Sequence, residues 1–349
     1  MSSASSGPGS SSPAPALASD PVAGAGVRRV ARRRLWAPQY WPAWLAVGFF
    51  AALARLPFPL LWLLGHGLGR LGYLVLPDRR RVARTNLALC LPEASAWRRE
   101  ALVRQHFGWL GVAAVSQGIA WHASPRRLRR LVRFRDEAEI LGLLRDGRGV
   151  IVLTPHFVAL DLAGPAFAER VHPGLFMYQR IRSPVIDAVV QRGRTRFGTI
   201  AVERRDDLRR TIRRIRKGAP FYYLPDQDPG RKRGIFVPFC GVAAATVPML
   251  GRMARLADAP VIPSFATFLP WGRGVEMRFG AALAGFPSGD DNADTARMNQ
   301  VIETGLQATP AQYFWVHRRF KTRPEGAAPI YPPSRRDRRR PRARAGSGA

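Results

Sequence analysis

An α/β fold, with a largely parallel sheet covered by helices on both faces, is what this sequence predicts, on three observations. After Gly147, short apolar runs alternate with stretches of helical length. The first run, GVIVLT, is apolar almost throughout, as expected of a strand buried on both faces. Polar clusters then fall just past several runs, at the strand ends where open α/β sheets hold ligands. The strand candidates are GVIVLT, LFMYQ, GTIAV, PFYYL, VIPSFATF and VEMRF. Helices are expected at 159–170, 183–197, 206–217, 246–257 and 292–308.

An N-terminal membrane anchor and a helical region precede this part. Residues 1–26 are mainly Ser, Ala, Gly and Pro, a composition expected to be disordered, and lack the cationic start of a cleavable signal peptide. The basic cluster RRVARRR (28–34) leads into LWAPQYWPAWLAVGFFAALARLPFPLLWLLGHGLGRLGYLVL. Arg55, Pro57 and Pro59 interrupt that segment, and its unbroken run, Trp41 to Ala54, is shorter than the roughly 20 residues a spanning helix needs. Trp36, Tyr40, Trp41 and Trp44 at its head suit an interfacial aromatic belt. The expectation is an anchor that dips into the bilayer or spans it obliquely, with a buried helix pair as the alternative.

From Asp78 to about Arg145 the pattern is helical. Asp78 is expected to cap RRRVARTNLALC, and Ser95 to begin a helix with Trp97, Leu102, Phe107 and Leu110 on one apolar face. The expected organisation is a disordered basic tail (1–35), an anchor (36–77), a helical region (78–148), an α/β region (149–323) and a disordered Arg/Pro-rich tail (324–349). Residues 78–323 would form one globular domain. No internal repeat is found.

The chain has 349 residues, 46% of them apolar, enough for a sizeable core. Its formal net charge of +31 points to a polyanionic partner: nucleic acid, an anionic membrane or a phosphorylated substrate. Much of that charge lies in the arginine runs at 28–34 and 335–344, which read as solvated tails. Cys90 and Cys240 are the only cysteines and have no neighbours at metal-ligand spacing. They suggest a reduced, cytoplasmic-facing compartment without a disulfide framework or structural zinc.

Four clusters are candidates for chemistry. In TPHFVALD (154–161), His156 falls on the turn after a strand, and Asp161 follows in the first turn of a helix. Positions five apart on one helix diverge by about 140°, but a histidine outside the helix escapes that limit. A carboxylate there can orient a general base; a plain helix after a strand explains the same residues. After LFMYQ, Arg180 sits at a strand end and can reach an anion, whereas Arg192, Arg194 and Arg196 fit a solvated helix surface. In YLPDQDPGRKRGIFVPF, Asp226 and Asp228 can touch substrate or hold arginines, and a metal site there is a weak reading. In QYFWVHRRFKTRP, His317, Arg318 and Arg319 lie among aromatic residues in a cluster suited to phosphate groups. His66, His106, His122 and His172 read as packing or surface residues.

Together these pieces resemble the late acyltransferases of lipid A biosynthesis (the lauroyl/myristoyl type), within the glycerolipid acyltransferase superfamily. The likeness rests on the His-x4-Asp element, MYQRIRSPVIDAVVQRGRTRFG, YLPDQDPGRKRGIFVPFCGVAAAT and YFWVHRRFKTRPEG, and runs from about Trp41 to Gly326. The chain departs from the family where a glycine–leucine–glutamate element is usual; Asp136, Glu137 and Ala138 stand there. The resemblance implies a glycerolipid-acyltransferase-like fold and acyl transfer from acyl carrier protein to a hydroxyl of a Kdo-bearing lipid A precursor. The place implied is the cytoplasmic face of a Gram-negative inner membrane. It implies His156 as general base with Asp161 as its orienter. Arg180, Asp226, Asp228, His317, Arg318 and Arg319 become candidate substrate contacts. No cofactor, metal or nucleic acid is implied. Two other readings remain: the same fold acting on another membrane lipid, and a non-catalytic basic protein that binds membrane or nucleic acid.

Overall fold

The computed structural model describes residues 35–203 and 208–332. Both arginine runs and the outer parts of both expected tails lie outside them.

The chain opens with α1 (Trp41–Leu53) and α2 (Phe58–Val75), turning at Pro57. Next come α3 (Pro77–Cys90) and the long α4 (Ala96–His122). The Ser95 hydroxyl accepts the Arg98 N–H and starts α4, as expected. Asp78 lies inside the first turn of α3, whose cap is Leu76. Trp97 does not join the apolar face of α4; it is exposed, whereas Leu102 and Phe107 are buried.

Helices α2 and α4 pack through glycine. A Cβ added at Gly111 would stand 1.9 Å from the Gly65 carbonyl oxygen, and one at Gly69 would stand 2.1 Å from the Phe107 carbonyl oxygen. Only bare backbone fits at so close a crossing. The spanning form of the expected anchor is not found: among the described residues, no helix is long and apolar enough to cross a membrane. Residues 36–77 instead form two short helices seated on the body, with Phe58 and Leu61 buried. Their outer side nonetheless shows Leu45, Phe49, Leu63, Leu71 and Leu74 to solvent.

The α/β part continues with α5 (Pro125–Leu131), β1 (Val132–Arg135), α6 (Ala138–Arg145), β2 (Ile151–Leu153) and α7 (Leu160–Arg170). Then follow β3 (Leu175–Tyr178), α8 (Pro184–Thr195), β4 (Ile200–Glu203), α9 (Leu208–Arg216) and β5 (Phe221–Tyr223). The remainder is β6 (Ile235–Phe239), β7 (Val242–Thr246), α10 (Leu250–Ala257), β8 (Val261–Phe268), β9 (Val275–Phe279) and α11 (Asp291–Ala308). Seven strands form one sheet in the order β1-β9-β8-β2-β5-β3-β4. All neighbours are parallel except β8 and β9. All six strand candidates are present, and β1 is an addition. The second addition is the antiparallel β6–β7 hairpin, which stands apart from the main sheet.

Strand β2 is central and buried on both faces. Ile151 and Leu153 enter one apolar cluster, while Val150 and Val152 enter the other, which is the period of two expected of a strand. Asp136, where the family usually has glycine, has a left-handed backbone (φ 57°) and pairs with Arg278 at 3.0 Å. Aspartate is among the few side chains that tolerate this conformation, so the residue present suits the turn it occupies.

Two further corrections concern the chain's edges. Cys90 and Cys240, expected apart and reduced, are joined in a disulfide that ties the end of α3 to the β6–β7 turn. Cysteine usage therefore carries no argument about compartment. Order also continues past the tail boundary expected at residue 323. Tyr331 is buried, donates its hydroxyl proton to Asn86 and accepts the Phe320 N–H at 3.2 Å.

Candidate active site

Strands β2 and β5 are adjacent and parallel, with Leu153 opposite Tyr223. His156 is the third residue after Leu153 and Asp226 the third after Tyr223. Equal steps beyond paired strand ends bring the two together. Asp226 accepts twice from His156: the backbone N–H at 2.9 Å, and Nδ1 at 2.6 Å.

This corrects the expected partner. Asp161 does not hold the His156 ring; its carboxylate accepts from Arg194 Nη2 at 2.5 Å and Gln117 Nε2 at 3.2 Å. Helix α7 begins at Leu160, after the turn that carries His156, so Asp161 faces α8 and α4, which supply Arg194 and Gln117. It still acts through space. Burial alone would lower the His156 pKa, but the charge and hydrogen bond of Asp226, with the charge of Asp161, raise it above the ordinary imidazole value. Burial would raise the Asp226 carboxyl, yet the His156 charge and its two hydrogen bonds bring it down to about 2. Asp226 is thus an ionised acceptor. It fixes the proton on Nδ1 and leaves Nε2 as the basic nitrogen.

The ring stays 28% exposed and lines a small cleft with Asn86, Tyr313, Phe314 and His317. The segment after α11 builds the far wall and holds the histidine's backbone. Val158 N–H donates to the Gln312 carbonyl, and Phe314 N–H to the His156 carbonyl, both at 3.0 Å. Asn86 on α3 fixes that segment from behind through the Trp315 and His317 carbonyls, at 2.6 and 2.8 Å.

The remaining candidate contacts divide. Asp228 ties the loop together, accepting from Gly230, the Thr322 N–H and the Thr322 hydroxyl at 2.6–2.8 Å. His317 accepts the Asp228 N–H on Nε2 at 3.1 Å, and burial pulls its pKa to about 4, so it is neutral and no phosphate clamp. Arg319 is only 2% exposed; it donates to the Ala245 carbonyl and the Thr246 hydroxyl and lies over the Phe239 ring. Its place is in the core. Arg318 is half-buried and lies over Tyr331, whereas Arg180 is exposed and pairs with Glu203 at 2.8 Å. Among the described residues, no group of three or more His, Cys, Asp or Glu is placed to hold a metal ion.

A histidine oriented by a buried carboxylate at a strand-end cleft is the arrangement of a general base. Comparison with known proteins settles the family: the model for the bacterial lipid A biosynthesis acyltransferases matches residues 30–322. The chain belongs to this family. It is 33% identical over 295 residues to the lipid A biosynthesis lauroyltransferase of Escherichia coli, covering 84% of this chain and 96% of that one. The palmitoleoyltransferase of the same organism is also 33% identical, covering 84% and 95%. The myristoyltransferase is 32% identical over 304 residues, covering 86% and 92%. In this chain a histidine stands just past the strand end, and the sheet brings Asp226 to it across 70 residues of sequence. Sequence reasoning named both residues but not their pairing. Gln117, Arg194 and Asn86 escaped it altogether as site components, since each acts across long stretches of chain.

Proposed function

We propose that this protein transfers a fatty acyl chain from acyl carrier protein to a hydroxyl of a lipid A precursor, with His156 as general base. The observation that carries the reading is the Asp226 carboxylate on Nδ1, which leaves Nε2 as the basic nitrogen of a ring open to the cleft. Nε2 takes the hydroxyl proton as the oxygen attacks the thioester carbonyl. The tetrahedral intermediate collapses, the thiolate leaves, and the proton on Nε2 passes to the sulfur. Asp226 stabilises the imidazolium at close range and Asp161 does so through space.

The donor reading draws on the chain's net charge of +31, complementary to an acidic carrier. The acceptor reading draws on the relatives' names and on Arg180 at the carboxyl end of β3. Attachment to the cytoplasmic face of the inner membrane draws on the solvent-facing leucines and phenylalanine of α1 and α2. Mass spectrometry of lipid A from a deletion strain tests the whole reading. One secondary acyl chain should be missing and should return with the wild-type gene but not with His156→Ala. An unchanged lipid A would refute it.

A further inference from the structure

A second cleft, of roughly 590 Å³, opens between α5 and the α1–α2 corner. Its polar lining is Ser124, Arg126, Arg127 and Arg130, over a floor that includes Pro57 and Phe58, and no carboxylate lines it. Arg126 and Arg130 are four residues apart on α5, so both project on one side. Each is exposed, and neither makes an ion pair among the described residues. Arg127 is partly buried and donates to the Ala54 carbonyl at 2.5 Å and to the Leu56 carbonyl. Carbonyls satisfy its N–H groups without neutralising its charge. The lining therefore holds three positive charges and no negative one.

Position says what such a site is for. Leu131 precedes β1, whose first residue, Val132, lies beside Val275; Val275 pairs with Phe268, at the carboxyl end of β8. Strand β8 runs parallel to β2, so the cleft and His156 open at the same end of the sheet. Beside the cleft, α2 exposes Leu60, Leu63, Leu64 and Leu68 as one stripe. Trp271 adds to it: this tryptophan is 72% exposed on a left-handed backbone (φ 59°), its ring 5.3 Å from that of Trp62. A bulky residue held in that conformation is strained, and here the strain presents an indole to solvent. The turn that carries it packs directly on the start of α2, since a Cβ at Gly272 would stand 2.4 Å from Pro59 Cα.

We propose that this cleft binds the phosphate of an anionic bilayer phospholipid, gripped by Arg126 and Arg130 with the charge of Arg127 behind them. The inference rests on the membrane attachment proposed above and adds a headgroup site to it. Apolar side chains along α2 and Trp271 would enter the interface, while the arginines would stand at headgroup depth. The site thereby orients the enzyme so that the carboxyl end of its sheet faces the lipid.

The test is flotation of the full chain with vesicles of phosphatidylcholine alone or with one-third phosphatidylglycerol. Arg126→Gln/Arg130→Gln should weaken binding to the anionic vesicles roughly thirty-fold, at about 1 kcal/mol for each arginine and tenfold per 1.4 kcal/mol. Binding to phosphatidylcholine should not change. Arg98→Gln/Lys217→Gln removes the same charge from exposed positions outside the cleft and should cost threefold or less. Leu63→Gln should weaken binding to both vesicles. Equal losses from the two charge pairs would overturn the headgroup site. So would cleft variants that raise the acceptor's KM in detergent micelles without changing flotation, an outcome that would make the cleft an acceptor subsite. A wild type that floats with neither vesicle would sink the membrane attachment and this inference with it.

Discussion

Nδ1 of His156 and a carboxylate oxygen of Asp226 stand 2.6 Å apart, while the other oxygen of that carboxylate accepts the His156 backbone N–H at 2.9 Å. Both bonds depend on an acceptor. Asp226→Asn keeps the shape but can turn an amide N–H toward the ring, favouring the wrong tautomer. Turnover should fall by about 10²–10⁴-fold, comparable with His156→Ala, while the protein stays folded by circular dichroism. A folded Asp226→Asn enzyme with near-normal turnover would remove Asp226 from the mechanism.

Asp161 should show itself in the pH profile. The base works when neutral, and its pKa is raised, so wild-type turnover should climb with pH through a midpoint above 6.5. Asp161→Asn deletes one charge that supports the imidazolium, and the midpoint should move to lower pH. Stability follows the opposite sign. Protonated His156 stabilises the fold below about pH 6.5, the value for an unfolded imidazole, and that contribution disappears as pH rises through the higher native pKa. Asp226 contributes above 3.8 and loses its contribution as pH falls toward 2. A rate profile unmoved by Asp161→Asn would mean that this carboxylate serves the fold alone.

Arg319 and Arg180 should fail differently. Arg319 is buried with carbonyl and hydroxyl partners, so Arg319→Ala should lower the melting temperature sharply, with a loss of about 3 kcal/mol or more. Arg180 is exposed, and Arg180→Ala should leave stability nearly unchanged. If it grips an acceptor phosphate, the apparent KM should rise about tenfold or more. Melting curves and acceptor titrations of both variants decide the matter.

Glycine at the α2–α4 crossing should be irreplaceable only where the helices touch. Gly111→Ala forces a methyl to within 1.9 Å of a carbonyl and should cost about 1–3 kcal/mol or more. Gly67→Ala meets nothing within 4 Å and should stabilise α2 by about 0.5–1 kcal/mol. Urea unfolding of the two variants should show opposite signs.

The Cys90–Cys240 bond closes a loop with a sequence separation of 150 residues. Reduction should remove about 2–4 kcal/mol of stability, visible as a melting temperature several degrees lower with dithiothreitol. Cys90→Ala should show the lower value with or without reductant. A wild type indifferent to dithiothreitol would mean that the link contributes nothing to the fold.

Local pattern made the sheet readable. GVIVLT and VIPSFATF are apolar runs of strand length, and Ser95 and the Ser183–Pro184 pair mark helix starts by their own chemistry. Where the pattern was short or mixed, reading stopped. VRFR has four residues at a sheet edge, with two charges facing out, and resembles the helix before it. The β6–β7 hairpin begins in a basic loop and carries Pro238, which masks a strand. At the site, His156 was visible because it ends an obvious strand, but its partner depends on which strand lies next to β2. That is a fact of topology, and no spacing within TPHFVALD contains it. The same limit hid the disulfide, because two cysteines far apart in sequence have no local signature.

The strap from Gln312 to His317 that fixes the His156 backbone lies near the carboxyl end of the described residues. Chains leave the ribosome amino end first, so the histidine is synthesised more than 150 residues before the segment that sets its position. During that interval the nascent protein carries its base without a place for it. A product cut short before Gln312 would keep the helices on which the membrane reading rests and most of the sheet, yet have no assembled site. Acylating capacity would therefore arise only once the chain has passed His317, and translation stopped before that point would leave inert protein in place of a careless transferase.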